Sequence, residues 1–162
     1  KMKFNYNNDI SPSIMNELFI MSNINHENLM NKISFNVTEG EVDIMMLYKG
    51  DTLLNYLFKN ELSDNQKDYI ILQLINVIHY LHMNNYVHGD LSLKNILIEN
   101  DNGQINITLI DFSRTTKQHR YYRSNYYPTL YVCPYEFLQK KFICKNAKST
   151  DIFSLGCIIY FI

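Results

Sequence analysis

Three side chains in the middle of the sequence carry the oxygen atoms needed to bind a divalent cation. Asp90 and Asn95 stand five positions apart in a polar loop that runs into the apolar residues 96–98. Asp111 follows sixteen positions after Asn95, at the end of a second apolar run. Carboxylate and amide oxygens are ligands that suit Mg²⁺, and a carboxylate can orient a hydroxyl for attack on a phosphoryl group. If the fold brings the three together, they favour phosphoryl transfer.

A β-hairpin is predicted to position these residues. The turn signal Asn100-Asp101-Asn102-Gly103 separates the apolar residues 96–98 from the apolar residues 105–110. An Asn-Gly turn between two apolar runs is typical of an antiparallel pair of strands. The hairpin would bring Asp111 to a strand exit beside Asn95.

A long helix is predicted before the loop. Ser63 and Gln66 form a capping box, and the helix is expected to run to about Met83. The wide apolar stripe of this helix predicts that it is largely buried in an all-helical layer. The apolar positions are Ile70, Ile71, Leu74, Ile75, Val77, Ile78 and Leu81.

The loop and the second acid resemble two motifs of eukaryotic-type protein kinases. Residues 88–95 are similar to the catalytic loop H-R-D-L-x-x-x-N, with Gly89 in place of Arg. Residues 111–113 are similar to D-F-G, with Ser113 in place of Gly. The resemblance implies that Asp90 accepts the proton of the substrate hydroxyl and that Asn95 and Asp111 bind Mg²⁺ beside ATP. It also implies that His88 and Phe112 pack structurally.

The N-terminal third resembles the helix C region of protein kinases. A helix is expected to begin at residues 11–13, and residues 23–29 are similar to the L-x-H-P-N-I segment that closes helix C. Glu17 stands nine positions before His26, which is the place of the family glutamate that pairs with a strand lysine. Residues 1–4 resemble the end of that strand, which implies Lys1 as the lysine and Lys3 as the substitute. The alternative is that Glu17 is a solvated helix residue.

Residues 30–37 and 41–48 are predicted to form two strands, and residues 45–51 resemble the kinase hinge. The resemblance implies that Met45 is the gatekeeper and that Met46, Leu47 and Tyr48 contact adenine through their backbone. Leu97 would form the floor beneath adenine. The alternative is that both methionines are core filler. A short helix is predicted over residues 52–59.

Several departures from the family bear on specificity and control. Ser/Thr kinases carry Lys two positions after the catalytic Asp, where this chain has Ser92; Lys94 resembles the Arg placement of tyrosine kinases and would supply the missing charge. Residues 129–136 resemble the T-L-W-Y-R-A-P-E segment of cyclin-dependent-like kinases, and Thr129 favours Ser/Thr specificity. Gly89 removes the Arg that clamps an activation-loop phosphate, so we expect constitutive activity or control by a protein partner.

Residues 149–159 resemble helix F, in which an Asp at the position of Asp151 anchors the catalytic loop. The alternative is that Asp151 is only an N-cap. The resemblance therefore implies an α+β, bilobal protein kinase-like fold that is truncated. Residues 1–48 would be the remnant of the β-rich N-lobe, and residues 49–162 the mainly helical C-lobe through helix F. We expect a fragment of a longer protein.

Composition is that of an ordinary globular chain. It has 162 residues, a formal net charge of -1 and 46% hydrophobic residues, which point to neither nucleic acid nor membrane as a partner. Cations and tyrosines interleave over residues 114–127, as in single-strand nucleic-acid surfaces, but their position favours a solvated activation segment. Three cysteines without C-x-x-C spacing predict free thiols in a reducing, cytoplasmic setting.

The resemblance implies a Ser/Thr protein kinase that uses ATP and Mg²⁺ and acts on protein substrates, with a regulatory protein as a possible partner. A pseudokinase scaffold is the first alternative, because residues 89, 92 and 113 depart from the motifs. An atypical or small-molecule kinase is the second, because H-G-D-L also occurs in aminoglycoside phosphotransferase-like and RIO-like enzymes.

Overall fold

A computed structural model describes residues 2–3, 12–30, 33–38, 41–117 and 147–162. Within these residues the chain is a mixed α+β structure, as predicted. The helices are α1 (Pro12–Asn23), α2 (Leu53–Lys59), α3 (Asp64–Met83) and α4 (Ala147–Phe161). The strands are β1 (Met2–Lys3), β2 (Ile33–Thr38), β3 (Glu41–Met46), β4 (Asp51–Thr52), β5 (Tyr86–Val87), β6 (Ile96–Asp101), β7 (Gln104–Leu109) and β8 (Thr116–Lys117).

The strands form three antiparallel sheets. The first has the order β1-β3-β2, the second β4-β6-β7, and the third pairs β5 with β8. The predicted strand over residues 30–37 is shorter at its start, because β2 begins at Ile33. Met30 instead donates its backbone N–H to the carbonyl of Leu109 at 3.0 Å, so this part of the chain is tied to the second sheet.

The β6–β7 hairpin confirms the predicted turn. Ile96 pairs with Leu109, and Asp101 pairs with Gln104. Asn102 and Gly103 both have positive φ, 51° and 93°, which is the backbone that a tight hairpin turn requires. Asp111 therefore follows directly from the strand that pairs with the segment after Asn95.

The long helix has the predicted bounds but not the predicted surroundings. Ser63 and Gln66 form the capping box, and α3 ends at Met83. Five of the seven stripe residues are buried in the core and Ile71 is half-buried, but Ile75 is exposed. The prediction that α3 lies in an all-helical layer was wrong, because one face of α3 packs on β7 of the second sheet. A helix that packs on a sheet keeps one face open to solvent.

A buried amide network joins α3 to the hairpin and to the segment after α1. Asn28 donates Nδ2 to Oε1 of Gln73 and to the carbonyl of Ile107, both at 2.9 Å. Gln73 in turn donates Nε2 to the carbonyl of Ile105 at 3.1 Å and accepts the backbone N–H of Ile107 at 3.0 Å. The end of the α1 segment is therefore held to the same two elements that lead into and out of the polar loop.

Candidate active site

The polar loop is anchored by a carboxylate from α4. Oδ2 of Asp151 accepts the backbone N–H of His88, and Oδ1 accepts the backbone N–H of Gly89, both at 2.9 Å. His82 of α3 lies 2.9 Å from Oδ2 through its Nε2 atom, and Asp151 is 1% exposed. The predicted anchoring role is confirmed. The N-cap alternative is wrong, because α4 begins at Ala147.

Gly89 adopts a backbone conformation that suits glycine. Its φ is 79°, a region that costs residues with a Cβ about 1–2 kcal/mol. Gly89 therefore not only lacks the arginine side chain of the family motif but also allows the backbone turn that precedes Asp90.

His88 has a structural role, as predicted. Its ring is fully buried, lies edge-to-face against Phe112 with centroids 5.5 Å apart, and contacts the carbonyl of Ile110 through Nε2 at 3.1 Å. Because that carbonyl can only accept, Nε2 carries the proton. Nδ1 is then free to accept the backbone N–H of Asp90 at 3.3 Å. Both nitrogens are engaged in holding the loop.

The segments that carry the three predicted phosphoryl-transfer residues are joined by hydrogen bonds. Asn95 donates Nδ2 to the backbone carbonyl of Asp90 at 2.8 Å. The carbonyl of Asn95 accepts the backbone N–H of Ile110 at 2.9 Å, immediately before Asp111. The hydrogen bond from Nδ2 leaves Oδ1 as the side-chain atom of Asn95 that suits a cation.

Asp111 is held by the serine that replaces the family glycine. Its Oδ1 accepts the hydroxyl of Ser113 at 2.6 Å and the backbone N–H of Ser113 at 3.3 Å. Asp111 has a φ of 65°, and non-glycine residues in this region concentrate at functional sites. Oδ2 remains as the second carboxylate oxygen, while Oδ1 is already engaged by a neighbour.

Glu17 faces the same region from α1. It is 8% exposed, so the solvated-helix alternative is wrong. Burial raises the pKa of its carboxyl, and the nearby Asp111 carboxylate raises it further, while a hydrogen bond from the backbone of Phe112 lowers it. Lys1, its predicted partner, lies outside the described residues, and only the backbone of Lys3 is described.

Asn16 is a positioning residue that the sequence analysis missed. Its Nδ2 donates to the carbonyl of Phe112 at 3.0 Å and to the carbonyl of Thr115 at 2.7 Å. These bonds fasten α1 to the segment after Asp111. No local pattern marks Asn16, because its partners are almost a hundred positions away.

Two cations near the site in sequence, Lys94 and Arg114, differ in their surroundings. Lys94, predicted to supply a catalytic charge, is exposed. Arg114, interpreted as part of a solvated activation segment, is instead poorly exposed, and its Nη1 lies 3.4 Å from Oδ1 of Asp90. Ser92 is buried. The solvated interpretation therefore holds only in part for Arg114, whose side chain is 22% exposed.

The residues predicted to contact adenine line the end of β3 and the strand β6. Met45, Met46, Leu47 and Tyr48 are all exposed, so the core-filler alternative is wrong for the two methionines. Leu97 is half-buried between the buried Ile96 and Ile98, so it faces away from the core side of β6. Their contacts with a nucleotide stay predictions.

Gly50 connects these two candidate adenine surfaces. Its φ is 81°, and a Cβ added there would overlap the carbonyl oxygen of Ile98. Only glycine allows the chain after β3 to approach β6 this closely.

The donor atoms fit a magnesium ion that also binds phosphate. Among the residues that the structure describes, no group of three or more His, Cys, Asp or Glu side chains could hold a metal ion. Mg²⁺ is usually bound by one or two carboxylates together with substrate phosphates and water. One carboxylate (Asp111) and one amide oxygen (Asn95) are compatible with such a site.

Some predicted features lie outside the described residues. They include Thr129, the 129–136 motif and most of the activation segment, together with Cys133 and Cys144. Cys157 is a half-buried free thiol, as predicted. None of the helices in the described part of the chain has the length and apolar character needed to span a membrane.

The protein kinase domain family matches the chain over residues 1–162. The chain therefore belongs to the protein kinase domain family. This agrees with the motifs recognised in the sequence and with the anchored loop described above.

The relatives named as kinases are distant. NUAK family SNF1-like kinase 2 of Homo sapiens is 29% identical over 150 residues, covering 91% of this chain and 23% of the relative. Putative serine/threonine-protein kinase L268 of Acanthamoeba polyphaga mimivirus is 28% identical over 169 residues, covering 96% of this chain and 30% of the relative. The chain thus spans about a quarter of the length of these curated relatives.

A solved structure has the same fold. A chain of the yeast RNA Pol II CTD kinase CTDK-1 complex superposes with a TM-score of 0.81 at 24% identity, covering 98% of this chain and 52% of that chain. At this identity the likeness concerns the fold. The predicted kinase-like α+β fold is therefore confirmed.

Proposed function

We propose that the protein containing this chain transfers the γ-phosphate of ATP to Ser or Thr hydroxyls of protein substrates. The observation that carries the proposal is the carboxylate of Asp151, which pins the two residues before Asp90 by two 2.9 Å hydrogen bonds. A loop held in this way can present a carboxylate at a defined position, which is the main requirement of phosphoryl transfer. The relatives named serine/threonine kinases support the substrate class.

In the proposed reaction, the substrate hydroxyl oxygen forms a bond to the γ-phosphorus of ATP. The bond from that phosphorus to the oxygen bridging the β- and γ-phosphates breaks, ADP leaves, and the hydroxyl proton passes to Asp90. Asp90 also aims the hydroxyl before transfer. Mg²⁺, held by Oδ1 of Asn95 and the carboxylate of Asp111, would neutralise phosphate charge.

The remaining predicted residues complete the proposed site. Glu17 would hold the strand lysine, Lys1, toward the phosphates, and its burial and the influence of the Asp111 carboxylate on its pKa support this role. Lys94 would act at the outer edge of the site, since it is exposed. Met45, Met46, Leu47, Tyr48 and Leu97 would contact adenine.

The proposed partners and cellular location are stated only as classes. The protein substrate follows from the family, and a regulatory protein partner is compatible with the complex in which the yeast CTD kinase was solved. A cytoplasmic location follows from interpreting the cysteines as free thiols.

The direct test is transfer of labelled phosphate from ATP by the full-length protein. Peptides with Ser, Thr or Tyr acceptors and small-molecule acceptors such as aminoglycosides are offered in parallel. We expect incorporation into Ser or Thr peptides and a loss of at least about 10²-fold in Asp90→Asn, because a positioned general base contributes about 10²–10⁴-fold. Equal rates for wild type and Asp90→Asn would refute the proposal. Transfer to small molecules alone would favour an atypical kinase.

A pseudokinase is the second candidate, and one observation favours it. Oδ1 of Asp111 is engaged by Ser113, and Oδ1 of Asp90 lies beside Arg114, so both carboxylates have protein partners. Nucleotide binding without transfer to any acceptor would support this candidate.

A further inference from the structure

Arg114 lies beside the carboxylate that is proposed to orient the substrate hydroxyl. Nη1 of Arg114 is 3.4 Å from Oδ1 of Asp90, and the two side chains are 22% and 15% exposed. This separation is longer than that of a strong charge-assisted hydrogen bond. Ion pairs with little exposure carry a desolvation cost that their attraction often fails to exceed. Stability is therefore a weak explanation for this pair.

The backbone on both sides of Arg114 is fixed by contacts from separate parts of the chain. Asn16 of α1 donates to the carbonyls of Phe112 and Thr115. The backbone of Thr116 pairs with that of Val87, directly before the catalytic loop. The hydroxyl of Thr115 donates to the carbonyl of His88 at 3.4 Å. The backbone around Arg114 is thus hydrogen-bonded to the residues directly before Asp90.

The catalytic loop, residues 88–95, contains one lysine and no arginine. His88 uses both nitrogens in hydrogen bonds, Ser92 is neutral and buried, and Lys94 is exposed. Transfer of a phosphoryl group places charge on its oxygens, and a preorganised cation at that place lowers the barrier. A guanidinium suits this task because its planar fork can contact two oxygens at once.

We propose that Arg114 is a catalytic residue whose guanidinium contacts the transferring phosphoryl group beside Asp90. The inference rests on the proposed kinase function. Before substrate binds, Arg114 pairs with Asp90. When ATP and the hydroxyl are bound, the guanidinium turns to the γ-phosphate oxygens, and Asp90 is released to hold the hydroxyl and accept its proton. The bonds formed and broken are those of the transfer described above.

The test compares Arg114→Gln and Arg114→Lys in the full-length protein with Lys117→Gln, which removes an exposed cation three positions further along. Steady-state kinetics and the affinities for ADP and for a non-hydrolysable ATP analogue are measured for each. We expect Arg114→Gln to lower kcat about 10²–10³-fold and to weaken the ATP analogue about three- to tenfold relative to ADP. Arg114→Lys should lower kcat less, by about tenfold, since it keeps the charge but loses the fork. Lys117→Gln should match wild type.

Three results would overturn the inference. They are a kcat of Arg114→Gln equal to or above that of wild type, equal weakening of ADP and ATP-analogue binding, and loss of kcat in Lys117→Gln to the same degree. If Arg114→Gln fails to fold, Arg114→Lys decides: an unchanged kcat overturns the inference, and a lowered kcat with unchanged ADP affinity supports it.

The experiment separates this inference from the proposed function. If Asp90→Asn abolishes transfer but Arg114→Gln does not, the kinase function stands and the role of Arg114 falls. If Asp90→Asn leaves transfer unchanged, the proposed function falls. The ratio of ATP-analogue to ADP affinity still reports whether Arg114 contacts the γ-phosphate.

Discussion

Ser113 engages one carboxylate oxygen of Asp111, the proposed Mg²⁺ ligand. Its hydroxyl donates to Oδ1 of Asp111 at 2.6 Å, and a glycine there would keep only the longer backbone contact. We expect Ser113→Gly to lower the Mg²⁺ concentration needed for half-maximal nucleotide binding roughly three- to tenfold, which corresponds to the net free energy of one hydrogen bond. The measurement is nucleotide binding across a magnesium titration.

Ser113→Thr is the matched control, because it keeps the hydroxyl and should keep the magnesium dependence of the wild type. If Ser113→Gly also showed the wild-type dependence, the hydroxyl would not compete with the ion. Asp111 would then exchange the Ser113 hydroxyl for Mg²⁺ without a measurable free-energy cost.

Glu17 makes stability depend on pH. Burial and the Asp111 charge raise its pKa in the folded state above the unfolded value of 4.5. A raised carboxyl pKa means that the folded state binds the proton more tightly. The contribution of Glu17 to the free energy of unfolding is therefore fully present below pH 4.5 and is lost as the pH rises through the folded-state pKa. We expect urea unfolding to show this loss in wild type and not in Glu17→Gln.

Glu27 provides the control for this effect. It is an exposed glutamate just beyond α1, so Glu27→Gln should leave the pH profile of wild type in place. A Glu17→Gln profile parallel to wild type would show that the carboxyl titrates alike in both states.

At the scale of elements, Asn28 and Gln73 join α1, α3 and the β6–β7 hairpin. Gln73→Ala would leave the carbonyl of Ile105 and the N–H of Ile107 without their present partner. An unsatisfied buried polar group costs about 1–3 kcal/mol, so we expect a loss of at least that free energy of unfolding. Urea denaturation measures it.

Asn76→Ala tests whether the loss is specific. Asn76 is exposed on the same helix, and its truncation should change the free energy of unfolding by less than about 0.5 kcal/mol. Similar losses for the two variants would mean that the amide network is not the source of the effect, since alanine favours a helix more than either residue does.

At the scale of the whole molecule, Asp151 connects α4, α3 and the catalytic loop. Its removal leaves the backbone N–H groups of His88 and Gly89 and the ring of His82 without their present partner. A polar group left without its hydrogen-bond partner in the interior costs about 1–3 kcal/mol, so the loss of two such bonds costs about 2–6 kcal/mol. We therefore expect Asp151→Ala to lose free energy of unfolding in this range and to lower kcat. Urea denaturation of the variant and of wild type measures the free energy of unfolding, and peptide phosphorylation measures kcat.

Asp68→Ala is the control for Asp151, because Asp68 is an exposed carboxylate on α3. It should leave both stability and kcat near the wild-type values. Full activity in Asp151→Ala would show that the loop holds its conformation without this carboxylate, which would remove the main support for the proposed function.

Local features of the sequence predicted the elements well. The capping box, the Asn-Gly turn and the helix at residues 11–13 each depend on neighbours a few positions away, so short-range preference was sufficient. The prediction of an all-helical layer around α3 was wrong, because the packing partners of a helix come from distant parts of the chain. Periodicity marks the apolar face of α3 but not whether a helix or a sheet covers it, and β7 covers part of it.

The sequence by itself determined the family and the three oxygen-bearing residues of the candidate site, because motif order and spacing are properties of the chain alone. Tertiary structure decided what surrounds them. No motif marks Asn16 or Arg114 as part of the site, whereas the helix F motif marked Asp151 and the structure identified its partners. Burial, ion pairing and the raised pKa of Glu17 depend on distances through space, and no local pattern encodes those distances.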